Sequence, residues 1–216
     1  MIDLRVSADP AGAAAELLAE AAVPGAQLAL SGGGTVGRAY AVAAGLRDGW
    51  DGVHVWFGDD RAVPPDDERS NFRLVRESLL DALATPPVVH RIQGELGAEA
   101  AAELYDGELA GVVLDLALNG LGADGHTASL FPESTALEAD PGRLVVMNTD
   151  PTGRNPHRRM TLTFSGIARA RLVVVTVEGE GKRDAFAAVR RGDPDLPATR
   201  IQADQIIWLV DAAAAG

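Results

Sequence analysis

The chain of 216 residues carries 19 basic against 31 acidic side chains, a net charge of −12, with 47% hydrophobic and 23% charged residues. That length and balance suit a globular protein with a sizeable core, and the acidity argues against a general nucleic-acid binder, which would present a basic face. Absent cysteine excludes disulfides and thiolate metal sites; no apolar run reaches membrane-span length, and Met1–Ala8, with Asp3 and Arg5, does not read as a leader, so a cytoplasmic protein is expected.

Ile2 to Val6 reads as a first edge strand. Asp9-Pro10 opens an alanine-rich helix, with Asp9 as N-cap and Pro10 at the first helical position, ending near Val23-Pro24-Gly25. Gln27 to Leu30 is a short buried strand, followed by Ser31-Gly32-Gly33-Gly34-Thr35 and a helix from Val36 to Leu46. Val53 to Phe57 is another apolar strand. A polar, proline-marked loop then runs from Gly58 to Arg69, before a helix from about Ser70 to Leu83 that Ser70-Asn71 caps. Val88 to Ile92 follows as a short strand and Gly97 to Leu109 as a helix. Val112 to Leu118 is apolar enough for a strand buried on both faces. Further strands are expected at Arg143–Met147, Met160–Phe164, Leu172–Val177 and Gln205–Val210, with a helix at Lys182–Val189. This alternation predicts a three-layer α/β/α, Rossmann-like fold: a mostly parallel sheet with helices on both faces. No repeat, low-complexity tail or linker interrupts it, so residues 1–216 are expected to form a single α/β domain.

Chemistry concentrates between Asn119 and Pro132. Gly120, Gly122 and Gly125 permit a sharp turn at the end of an apolar strand. Inside that turn Asp124 stands two residues before His126, at the sheet edge where α/β enzymes place reacting groups. Of the four histidines, His54 lies within an apolar strand, where a hydrogen-bonded core role is expected, and His90 and His157 carry no motif. No second histidine stands at ligand spacing from His126, so no metal site is expected.

Ser31 to Thr35 joins a strand to a helix, where backbone N–H groups and the helix N-terminus suit an anion. Gly32, Gly34 and Gly37 also satisfy G-x-G-x-x-G, with Asp59 or Asp60 a little over twenty residues on. An anion cradle, a nicotinamide-dinucleotide site and a plain strand–helix turn all fit. Trp56 to Asp66 ends a strand with two acids and an arginine. Asp59 and Asp60 either hold a solvated loop by pairing with Arg61 or serve a ligand, whereas the Arg61 guanidinium suits phosphate or an oxyanion. Arg154–Arg159 and Gly179–Arg183 add cations at strand ends. Each alone reads as solvated; with the glycine loop they are the phosphate-sized positive clusters of an acidic chain. Lys182 is the only lysine, a position where a compact ammonium is wanted.

Five blocks, in order, resemble the 6-phosphogluconolactonase family, of the wider group that includes glucosamine-6-phosphate deaminase. They are Ser31–Thr35, Trp56–Asp66 with Ser70-Asn71, Leu114–Pro132, Arg159–Thr163 and Gly179–Lys182. Asp124-Gly125-His126-Thr127-Ala128-Ser129-Leu130-Phe131-Pro132 is the most specific segment. Deaminases carry a glutamate five residues after the histidine; Phe131 stands there instead, which favours the lactonase branch. Asp60 replaces a glutamate, Asn119 an apolar residue, and Glu178 a threonine, the last adding an anion beside the Gly179 block. The resemblance implies hydrolysis of 6-phospho-D-glucono-1,5-lactone to 6-phosphogluconate in the oxidative pentose phosphate pathway, with no cofactor and no metal. It implies His126 as the base that activates water and Asp124 as its partner. The substrate site it implies draws on Ser31, Gly32, Gly33, Gly34, Thr35, Asp59, Arg61, Gly122, Gly125, Arg159 and Lys182. The expected partner is a small phosphosugar lactone, with no nucleic acid and no membrane, bound by a monomer or small homo-oligomer. The alternatives are a deaminase-like phosphosugar enzyme, a nicotinamide-dependent oxidoreductase and a non-catalytic sugar-phosphate sensor.

Overall fold

The computed structural model describes Ile2 to Gly216, with strands β1 (Ile2–Val6), β2 (Gln27–Leu30), β3 (His54–Phe57), β4 (Asp59–Arg61), β5 (Val88–Val89), β6 (Leu114–Gly120), β7 (Val145–Asn148), β8 (Arg159–Leu162), β9 (Ala170–Val177) and β10 (Gln205–Val210). Seven strands make one parallel sheet in the order β1-β10-β9-β6-β2-β3-β5. Helices α1 (Pro10–Ala21), α2 (Gly34–Leu46), α3 (Asn71–Ser78), α4 (Ala98–Leu109), α5 (Phe164–Ile167), α6 (Arg183–Arg190) and α7 (Ala212–Ala215) flank it. Among the described residues no helix is long and apolar enough to cross a membrane.

Apolarity decides which strand sits centrally. Leu114, Leu116, Ala117 and Leu118 of β6 are almost wholly buried, between Leu172 and Val174 of β9 on one side and Leu28 and Leu30 of β2 on the other. Each such leucine contributes about 2 kcal/mol by leaving water. β1 lies at the sheet edge, as its sequence predicts, with Leu4 and Val6 exposed. Small residues bring the helices close: Ala11, Ala14 and Ala15 of α1 share the core with Val36, Ala39 and Ala43 of α2. The predicted cap is present, since the Asp9 carboxylate accepts the Gly12 N–H at 3.0 Å with Pro10 opening the helix.

Several boundaries differ from the sequence expectation. Asp59–Arg61 is a strand, not loop, and pairs antiparallel with β8, which pairs with β7 in a second sheet of order β4-β8-β7. The strands expected near residues 143–147 and 160–164 therefore belong to this small sheet. A charged triplet becomes a strand because its side chains find buried partners. The Asp60 carboxylate accepts the N–H groups of Arg61 and Asn71, both at 2.7 Å, and of Phe72 at 3.1 Å, together with the Ser70 hydroxyl at 3.1 Å. That clamps β4 onto the N-terminus of α3, where a negative charge is favoured. Ser70 caps α3 as expected, but the helix stops at Ser78 and continues as a 3-10 turn over Leu80–Ala82. Likewise Glu180–Lys182 is a 3-10 turn that precedes α6. His54 is hydrogen-bonded as expected, its Nδ1 lying 2.9 Å from His90 Nε2, but it is half-buried at the start of β3 rather than in the core. His90 in turn stacks on Trp56 at 3.8 Å between ring centroids, and β5 spans only Val88–Val89 where a strand to Ile92 is expected.

Candidate active site

Strands β2, β6 and β9 are neighbours in the sheet, and the segments leaving their carboxyl ends line one cleft of about 180 Å³. β2 supplies Ser31 to Thr35, β6 supplies Gly120 to Gly122 and then His126, and β9 supplies Thr176, Glu178 and Lys182. This is the crevice position where open α/β sheets bind ligands.

Glycine shapes the turn after β6. Gly122 donates its N–H to the His126 carbonyl at 2.8 Å and Gly125 to the Gly122 carbonyl at 3.0 Å. Gly125 adopts φ +83°, a conformation that disfavours side chains. A Cβ on Gly122 would lie 2.1 Å from His126 Nδ1 and 2.5 Å from Asp124 Oδ1, so only glycine leaves room for the pair. His126 Nδ1 lies 2.5 Å from Asp124 Oδ1, and its ring meets buried Phe131 edge-on at 5.1 Å between centroids. A carboxylate at Nδ1 places the hydrogen there and leaves the Nε2 lone pair free to take a proton. Burial works to raise the Asp124 carboxyl, but the hydrogen bond and charge of His126 outweigh it and hold the group below its ordinary value. Asp124 is thus an anion that orients an imidazole.

Across the cleft, the glycine loop presents main-chain donors. Gly33 precedes α2 without any side-chain cap, and no acid occupies the first turn of the helix. The leading N–H groups of α2 therefore stay available to an anion, with the helix dipole behind them. Gly32 permits a tight course over α3, since a Cβ there would lie 2.0 Å from Asn71 Oδ1. Lys182 borders the same cleft, where burial pulls its ammonium below the usual lysine range and the Asp124 charge opposes that shift.

Of the residues singled out from the sequence, Ser31–Thr35, Gly122, His126 and Lys182 border the cleft. Asp124 stands behind His126, and Gly125 lies against Leu196. Asp59, Arg61 and Arg159 do not border it. Buried Asp59 accepts the Ser129 hydroxyl at 2.6 Å and Asn71 Nδ2 at 3.0 Å, with Arg159 Nη1 at 4.0 Å. Arg61 donates to the Arg69 carbonyl at 2.9 Å and to Asn71 Oδ1. Asp59 and Asp60, the acids a dinucleotide site would turn toward a ribose, are both occupied in this way. Among the described residues no group of three or more metal-ligating side chains forms. Sequence reasoning missed Arg38, which donates to Glu178 Oε2 alongside the Thr35 hydroxyl at 2.9 Å. No local signal marks it, because its partner lies 140 residues along the chain.

A family profile described as glucosamine-6-phosphate isomerases/6-phosphogluconolactonase matches residues 5–208. The chain is similar to the 6-phosphogluconolactonase of Rhizobium meliloti, at 39% identity over 170 residues that cover 75% of this chain and 72% of that protein. It is similar to the GDH/6PGL endoplasmic bifunctional protein of Homo sapiens at 36% identity over 203 residues, which is 85% of this chain and only 25% of that longer protein. The crystal structure of 6-phosphogluconolactonase from Thermotoga maritima superposes with a TM-score of 0.84 at 29% identity, over 98% of this chain and 99% of the other.

Proposed function

The chain belongs to the 6-phosphogluconolactonase family, within the wider group of glucosamine-6-phosphate isomerases, and on that premise we propose that it hydrolyses 6-phospho-D-glucono-1,5-lactone with His126 activating the water. One observation carries the reading. An imidazole held at Nδ1 by Asp124 lines the same cleft as the glycine loop and the ammonium of Lys182. A base and an anion cradle in one crevice are what a phosphorylated ester requires.

In the proposed reaction the phosphate takes the N–H groups of the glycine loop, the start of α2 and Lys182. His126 Nε2 removes a proton as water adds to the lactone carbonyl carbon, and Asp124 stabilises the imidazolium. The charge that grows on the carbonyl oxygen must meet fixed donors of the cleft. The tetrahedral intermediate then expels the ring oxygen, which takes the proton back from His126 and leaves a hydroxyl and a carboxylic acid. The unbroken buried cluster from Ala11 to Ala214 supports reading residues 1–216 as one domain.

The direct test is lactone hydrolysis followed by acid release, with the spontaneous rate subtracted; no acceleration above that rate overturns the proposal. Lys182→Met is expected to raise KM for the phosphorylated lactone roughly ten- to hundredfold, the scale of losing a charged hydrogen bond. Hydrolysis of D-glucono-1,5-lactone, which lacks the phosphate, should respond far less. Gly122→Ala is expected to cut kcat by about a hundredfold through displacement of the His126–Asp124 pair, measured beside a circular dichroism spectrum that shows the fold intact.

A further inference from the structure

The cleft holds an anion of its own. Glu178 follows β9 and lines the same crevice as the glycine loop, its side chain 30% exposed. One of its carboxylate oxygens takes both the Thr35 hydroxyl at 2.9 Å and the Arg38 guanidinium. Thr35 lies in the first turn of α2 and Arg38 at the next position along that face, at a helix start with neither a side-chain cap nor an acid of its own. Glu178 therefore supplies, from another element, the negative charge that this helix end favours. It also occupies a hydroxyl and a guanidinium, the donors that a phosphate takes.

Resting on the lactonase reading of the cleft, we propose that Glu178 is an internal stand-in for the substrate phosphate. It holds Thr35 and Arg38 until the phosphate displaces it, so that Arg38 becomes a phosphate ligand and Glu178 sets the affinity. The other arginines expected near phosphate are committed elsewhere: Arg61 to Asn71 and a carbonyl, Arg159 in a buried site beside Asp59. Arg38 differs. Its side chain is 56% exposed, and among the described residues its guanidinium bonds only Glu178, so it can swing without losing a second contact. Exchange has an electrostatic cost, because the carboxylate loses its partners as a second anion arrives. Phosphate binds less tightly than the bare cradle would allow, and the phosphorylated product leaves sooner.

The test is a double-mutant cycle on the intact protein with Glu178→Gln, Arg38→Met and the double variant. Each is assayed for KM and kcat with 6-phospho-D-glucono-1,5-lactone and titrated with 6-phosphogluconate. Glu178→Gln keeps the shape and the acceptor but removes the charge. It is expected to lower KM and the 6-phosphogluconate Kd roughly three- to tenfold, the scale of one half-exposed charge contact, with the change in KM rather than kcat. Arg38→Met is expected to raise both constants in the native chain and again in the Glu178→Gln background. An Arg38 that merely neutralised Glu178 would be silent in that background, and this result overturns the handover. Equal constants for the native chain and Glu178→Gln overturn the role of Glu178. Failure of the lactonase reading gives a different pattern, in which the native chain neither accelerates lactone hydrolysis nor binds 6-phosphogluconate, and the inference falls with it.

Discussion

His126→Ala is expected to lower kcat for 6-phospho-D-glucono-1,5-lactone by about two to four orders of magnitude, the usual scale for losing a general base. Water is a poor nucleophile until something takes its proton, and that is the role proposed for the Nε2 of His126. The Nδ1 contact with Asp124 at 2.5 Å fixes which nitrogen is free. The fold should survive the change, because the half-buried ring meets Phe131 at its edge and no strand depends on it. Initial rates for purified His126→Ala and His126→Asn, compared at matched thermal midpoints, provide the measurement. A native kcat in either variant removes His126 from the reaction and transfers the role to another group of the cleft.

Asp59→Ala is expected to destabilise the protein by about 3–5 kcal/mol, the cost of leaving a buried charge without its partner. Asp59 is 4% exposed and accepts from Ser129 and Asn71, while the equally buried guanidinium of Arg159 lies 4.0 Å away with its Nε unpartnered. Burial pulls Arg159 below the ordinary arginine range, and Asp59 is the main charge opposing that shift. Removing the carboxylate strands the guanidinium and releases Ser129, which tethers the segment just after His126. Urea unfolding of Asp59→Ala and of the milder Asp59→Asn measures the effect. The sequence expectation, a substrate-binding acid, gives the opposite signature: an altered KM with unfolding changed by less than about 1 kcal/mol.

That contrast shows where the sequence was legible. β6 and the turn holding His126 could be read directly, because a continuous apolar run ending in spaced glycines has few other structural solutions. The glycine loop was legible for the same reason, and Asp9 and Ser70 cap their helices as their residue types predict. Asp59-Asp60-Arg61 was not legible as a strand. Acidic residues are depleted from strands, and this triplet is held by residues 70, 71, 129 and 159, which only folding brings together. Arg38 was missed because its partner Glu178 lies 140 residues away and the helix pattern alone gives an exposed arginine no role. His90 likewise gains its place only when Trp56 and His54 come beside it.

The side-by-side endings of β2, β6 and β9 turn the rim of the sheet into a ruler. Adjacent strands are spaced at about 4.8 Å by main-chain hydrogen bonds that no side-chain substitution can lengthen. The loops that carry the imidazole and the glycine amides therefore start one strand width apart, with β6 fixed between its two neighbours in register. Evolution or engineering toward a shorter or longer ligand cannot move those starting points and must instead remould the loops that rise from them.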